Sequence, residues 1–324
     1  MPARQVVLYY SWSRPKEVTA PLEVIEDRFP ALFETRRMLY PRFAELADAG
    51  RFDQGIGGFL DHVQRPNFAA FLELAGGLTG QAPREVERVG PDRPAQRLDS
   101  SILDGADTLV IVGFDSIRTH QSASSAEVER VREFLDRPDH LVFVCPHHDI
   151  GYVPDLPAEQ RLARQSAEFA HHGDRSIPPQ QRFGGFGRSL LAGLGVPVEN
   201  RFGLRPAVEA DGSPAAIDVD RNADRLGLLR DVPALNLHPH LPHFERLGEA
   251  ANRLDVLARQ AIDPAAPPHP FTAGGRNSFD ALLQSRPGVF AGTLLVGDAT
   301  LWSSTAGGLD NLRRLWTQVL KRPA

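Results

Sequence analysis

The apolar residues of this chain come in short unbroken runs separated by amphipathic stretches. "QVVLYY" (5–10), "DTLVIVGF" (107–114) and "LVFVC" (141–145) are runs of this kind. At this length, bounded by polar residues, such a run predicts a strand buried on both faces. "REVERVG" (84–90) alternates at period two and predicts a further strand. Between the runs, "SSAEVERVREFLDR" puts Val128, Val131, Phe134 and Leu135 on one helical face behind a serine N-cap candidate. Helical spacing also covers 31–49, interrupted by Pro41, and 67–78. Buried strands alternating with helices predict a parallel sheet with right-handed crossovers and helices on both faces.

The second half is less regular. "FGRSLLAGLG" (186–195) predicts a short helix ending in glycine, and 198–220 a strand, a turn at "DGSP" and a strand. "ALNLHPHLPHFERL" (234–247) begins as a strand and ends in a histidine-rich loop. "RLDVLARQA" (253–261) fits helix or strand equally. "GVFAGTLLVGDATLW" predicts a strand near 291–297, and "GGLDNLRRLWTQVL" a C-terminal helix. The proline- and glycine-rich stretch 263–278 reads as an exposed loop or lid. One α/β domain over 1–324 is expected, with a helical insertion at 31–80 and additional strands and a loop at 198–285.

Composition narrows the class. Hydrophobic content of 42% and charged content of 24% are those of a soluble globular protein. A net charge of −5 gives no reason to expect nucleic acid or an anionic membrane as partner. Cys145 is the single cysteine, which excludes an internal disulfide and a thiolate metal cluster. With no secretory leader and no apolar stretch of spanning length, a cytoplasmic location is expected.

In open parallel sheets ligands bind beyond the carboxyl ends of the strands, at a topological switch point. "SWSRP" (11–15), after the first strand, falls at such an end, and so do three segments with candidate chemistry. The first is "CPHHDIG", with His147, His148 and Asp149. On extended backbone adjacent side chains point to opposite sides, so one of the two histidines is expected to face a cleft. Asp149 is then the carboxylate that orients the imidazole. "HPHLPH" adds His238 and His240, which share one face if the strand reaches them. Together these rings would supply acid and base, or two or three ligands for zinc or iron. His171 and His172 follow an apparent helix, whose C-terminus favours a cationic ring.

The second segment, "GFDSIRTHQSAS", offers Asp115, Arg118 and Gln121 to a substrate, with Arg118 suited to clamp a carboxylate or phosphate. The third, "GDATLWSS", offers Asp298 and Ser303, with Trp302 able to wall an apolar pocket. The glycine-rich "FGGFG" (183–187) fits neither dinucleotide nor P-loop spacing, so no nucleotide cofactor is expected.

"DGADTLVIVGF", a helix, then "LVFVCPHHDIG" resembles the strand, helix and nucleophile-strand order of the class I glutamine amidotransferase-like superfamily. "NLHPH" (236–240) is similar to the late strand that carries its histidine. "LLVGDATLWSSTAGGLDNLRRLW" is closer to the non-amidotransferase branches, including trehalose-utilisation-type proteins. The resemblance implies a flavodoxin-like, doubly wound, mostly parallel sheet with helical and β-hairpin additions. It does not imply a glutaminase. The residue after Cys145 is Pro146, which lacks the N–H an oxyanion hole needs, and residue 240 is His where the superfamily's histidine has a glutamate partner. A partial match to zinc-dependent LmbE-type deacetylases keeps Pro146, His147 and Asp149 but has Ile150 in place of a second carboxylate. The expectation is an enzyme acting on a small polar molecule by histidine acid–base or metal-assisted chemistry, with hydrolysis the leading reaction. The alternative is a non-catalytic binding or assembly protein using the same cleft.

Overall fold

The computed structural model describes residues 4–11, 65–88, 95–115, 120–149, 156–172, 183–201, 203–235, 241–302 and 308–323. Its centre is an eight-stranded sheet: β1 (Val6–Tyr10), β2 (Arg84–Glu87), β3 (Thr108–Gly113), β4 (Leu141–Pro146), β5 (Asp218–Val219), β6 (Leu254–Ala261), β7 (Ser278–Ser285) and β8 (Thr293–Val296). The strand order is β2-β1-β3-β4-β8-β7-β6-β5. The first five are mutually parallel. The last three continue the sheet antiparallel. Order 2-1-3-4 followed by the last parallel strand is that of a flavodoxin-like, doubly wound fold, with its switch point between β1 and β3.

The apolar runs are unbroken because both faces of the sheet are covered. Leu141, Phe143 and Cys145 of β4 face one core and Val142 and Val144 the other. The first core is closed by α1 (Arg65–Thr79), through Phe68 and Phe71, and by α7 (Leu309–Lys321), through Leu315 and Trp316. The second is closed by α2 (Ser100–Leu103), α3 (Ser125–Leu135) and α5 (Gly185–Gly193), through Ile102, Phe134 and Leu190. Two further helices are α6 (Ala250–Arg253), which adds Ala250 to the second core, and α4 (Ala158–His172). No helix among the described residues is long and apolar enough to cross a membrane.

Several expectations are sharpened here. The ambiguous stretch 253–261 is strand, since β6 is hydrogen-bonded on both sides, to β7 and β5. Within 198–285, these strands extend the main sheet, while Val198–Glu199 and Gly203–Leu204 form small antiparallel ladders with Glu245–Arg246 and Leu241–Pro242. The loop at 263–278 is anchored rather than free: His269 and Phe271 are buried around a 3-10 turn at Pro270–Thr272. Of the insertion expected at 31–80, residues 31–64 lie outside the described residues.

Ser124 caps α3, and the Glu127 side chain bonds back to the Ser124 N–H, forming a capping box. Glu127 is also buried against Arg88, just beyond β2. One acidic residue thereby ends a helix and ties it to the sheet edge.

Candidate functional site

The hydrogen-bond ladder of β4 continues one residue past the strand, from the His147 N–H to the Gly113 carbonyl at 2.8 Å. It then leaves the pleat, and the Asp149 N–H bonds instead to the Asn200 carbonyl at 3.0 Å. That departure overturns the expectation that the two histidines point apart. Their rings stack, with centroids 4.5 Å apart and planes 13° from parallel. His147 lies between Phe114 and Phe183, at 4.9 and 4.7 Å, and its Nδ1 is 2.7 Å from the His148 carbonyl. Alternation is assured only within the strand, and β4 ends at Pro146.

His148 is fully buried, with Nδ1 3.3 Å from Oδ1 of Asp298. Asp298 follows β8, the parallel neighbour of β4, so two adjacent carboxyl ends bring together residues 150 positions apart. The same Oδ1 accepts from the Thr300 N–H at 2.9 Å and the Thr300 hydroxyl at 2.7 Å. Oδ2 accepts from the Asn200 amide at 2.8 Å. Burial by itself would raise this carboxyl's pKa. The imidazoles of His148 and His147, together with the Thr300 amide, outweigh burial and hold it at about 2.

The carboxylate that meets His148 Nδ1 is Asp298. Asp149 ion-pairs with Arg188 at 2.8 Å and accepts the Phe183 N–H at 3.2 Å. Arg188 is buried on α5 and also reaches the Phe183 carbonyl and Asn200 Oδ1. Neither Arg188 nor Asn200 was anticipated. The one available signal is a lone charge within the apolar helix "FGRSLLAGL"; Asn200 carries none.

The glycine-rich "FGGFG" explains how α5 comes so near. Gly184 has φ +66°, and a Cβ there would sit 2.8 Å from the Pro146 Cβ and 3.1 Å from the His147 backbone. Only glycine allows both this conformation and this approach. Asp115 is buried beside it, accepting from the Ser11 hydroxyl at 2.5 Å and from the Phe186 N–H at 2.9 Å. It ties the end of β1 to the start of α5.

The other anticipated residues are placed as follows. Trp302, expected at a pocket wall, packs in the first core, stacked on Trp316 at 5.2 Å and edge-on to Phe71 at 5.4 Å. Gln121 is half-buried upstream of the Ser124 cap. Arg118, His238, His240 and Ser303 lie outside the described residues. Among the described residues no group of three or more His, Cys, Asp or Glu could hold a metal ion. His171 is buried, with Nδ1 2.7 Å from the Pro267 carbonyl and Nε2 accepting the Arg205 N–H at 3.1 Å. A ring nitrogen that accepts carries no proton, so His171 is neutral rather than the expected cation.

Cys145 is completely buried in the first core, and burial pushes its thiol pKa far up. A thiol held protonated is no nucleophile at neutral pH. Cys145→Ala is expected to cost about 1 kcal/mol of stability, the scale of a small core truncation. Iodoacetamide labelling of the native protein, followed by mass spectrometry, should leave Cys145 unmodified; rapid labelling would show a reactive thiol.

No family model and no curated protein matches this chain.

Proposed function

We propose that this protein is an enzyme that acts on a small polar molecule by acid–base chemistry, with His148 as the base and Asp298 as its carboxylate partner. The observation that carries the reading is the buried His148–Asp298 contact, made across two adjacent parallel strand ends. Ligands of this fold bind at that end of the sheet. A histidine whose proton is held by an ionised carboxylate is suited to deprotonate water or a hydroxyl, and to return the proton to the leaving group. Hydrolysis is the reaction class we assign. The buried thiol of Cys145 leaves the nucleophile's role to water. The net charge of −5 and the single buried cysteine suit a small-molecule enzyme of the cytoplasm.

The test is turnover of a panel of activated carboxylic esters, amides and phosphoesters by the purified protein and by His148→Ala. Circular dichroism would confirm that the variant is folded. Loss of a general base is expected to lower turnover by roughly 10²–10⁴-fold. Undiminished turnover in the folded variant would remove His148 from the chemistry. A wild-type protein that hydrolyses nothing in the panel would remove hydrolysis as the reaction class.

A further inference from the structure

We propose that Asn200 and Arg188 are positioning residues that together fix which nitrogen of His148 carries the proton. Neither is placed to be a catalytic residue, since both act through Asp298. The inference rests on His148 being the working base, but its test reads the ring itself and needs no substrate.

The argument runs along a chain of hydrogen bonds with a defined direction. An asparagine amide can ordinarily be turned over, exchanging donor for acceptor. Here it cannot. Its Oδ1 accepts from Arg188 Nε at 2.9 Å and Nη2 at 2.7 Å, and a guanidinium has only donors to offer. The amide nitrogen must therefore point the other way, where Nδ2 donates to the Pro146 carbonyl at 3.1 Å and to Asp298 Oδ2 at 2.8 Å. Both of its hydrogens are used.

Asp298 thus meets a donor at Oδ2, and two more from Thr300 at Oδ1. A carboxyl oxygen surrounded by donors has no place for a proton of its own, so the group is an acceptor at every contact. The remaining neighbour, His148 Nδ1 at 3.3 Å, must be the donor. Of the two neutral tautomers only the one with Nδ1–H satisfies the contact, and Nε2 is left as the basic nitrogen. Arg188 is held at the start of this chain by its ion pair with Asp149 at 2.8 Å. Asp149 is thereby linked to the imidazole through Arg188, Asn200 and Asp298.

The experiment uses protein labelled with nitrogen-15 in histidine, and a long-range proton–nitrogen correlation of the His148 ring at a pH where it is neutral. The resonance is assigned by its loss in His148→Gln. Wild type is expected to show Nδ1 protonated and Nε2 bare. In Asn200→Leu, which removes the donor that holds Asp298 Oδ2 and lets the carboxylate swing away from the ring, the tautomer ratio is expected to shift by about tenfold or more toward Nε2–H. Arg188→Gln, which removes the two guanidinium donors that hold Asn200 Oδ1 in place, should loosen Asn200 and shift the ratio in the same direction. If Asn200→Leu does not fold, Asn200→Ser replaces it, because its hydroxyl can rotate to donate or accept. A wild-type ring protonated on Nε2 would overturn the inference. So would a ratio unchanged in folded variants at both positions. Loss of stability with an unchanged tautomer would mark the two residues as structural only.

Discussion

Asp298→Asn is expected to lower turnover by on the order of 10⁴-fold while leaving the sheet intact, as replacing the carboxylate of a His–Asp pair does elsewhere. The physical reason is specific to this pocket. A carboxylate accepts at both oxygens, and here both face donors, from Thr300 on one side and Asn200 on the other. An amide in its place must aim its NH₂ at one of them. Facing Asn200, it opposes another NH₂. Facing Thr300, it opposes an N–H and a hydroxyl, and it presents a donor to His148 Nδ1 that favours the wrong tautomer. Both choices leave a buried donor unsatisfied, so a stability loss of about 1–3 kcal/mol should accompany the lost activity. Turnover within tenfold of wild type, in a variant shown to be folded, would rule out the assigned partnership.

The same carboxylate makes the effect depend on pH. Its folded pKa of about 2 lies below the ordinary value of 3.8. A depressed pKa stabilises the folded state above the ordinary value, and that contribution is lost as pH falls through the folded one. Denaturant melts of wild type and Asp298→Asn should therefore differ by a constant amount above pH 4 and converge between pH 4 and pH 2. A gap that persists undiminished at pH 2 would show that Asp298 is not the titrating group.

Glu127→Ala is expected to have the largest effect on stability, a loss of about 3–5 kcal/mol, because it strands a buried arginine. Arg88 donates to Glu127 through two nitrogens, and its guanidinium lies 4.3 Å from the Phe186 ring centroid. It also reaches the Tyr9 hydroxyl at 3.1 Å. Glu127 in turn accepts the Ser124 N–H at 2.9 Å and the Leu98 N–H at 3.1 Å. Burial alone would raise the Glu127 pKa, but the hydrogen bond and charge of Arg88 and the hydrogen bonds from Ser124 together outweigh it and lower it. Removing this side chain thus leaves a charge and two backbone donors without their partner. Glu129, on the exposed side of the same helix with Arg132 at 3.4 Å, is the control, and its alanine variant should melt as wild type does. If Glu127→Ala melts within 1 kcal/mol of wild type, the buried pair contributes far less than its geometry implies.

How much of this was legible in the sequence differs between fold and site. The strand runs 5–10, 107–114 and 141–145, the amphipathic spacing of α3 and the C-terminal helix are local patterns, set by which residues avoid water over a few positions. They were enough to determine a doubly wound α/β sheet, and to direct attention to the turn after Cys145. Pro146 also argued locally against a cysteine nucleophile, since a missing N–H is a property of the residue itself.

The identity of the histidine's partner is a different kind of quantity. Asp149 is adjacent in sequence, yet Asp298, 150 positions away, makes the contact, because β8 is threaded beside β4 only once the crossovers are complete. The stacking of His147 on His148 arises where β4 gives up its ladder and the Asp149 N–H turns to the Asn200 carbonyl. Asn200 has no local signature and Arg188 only that of a lone charge in an apolar helix, while Trp302, expected to wall an apolar pocket, packs in the aromatic core. Hydrophobic periodicity specifies faces and is read along the chain. Hydrogen-bond partnership between buried polar groups is decided by proximity in space, and only the assembled sheet supplies that.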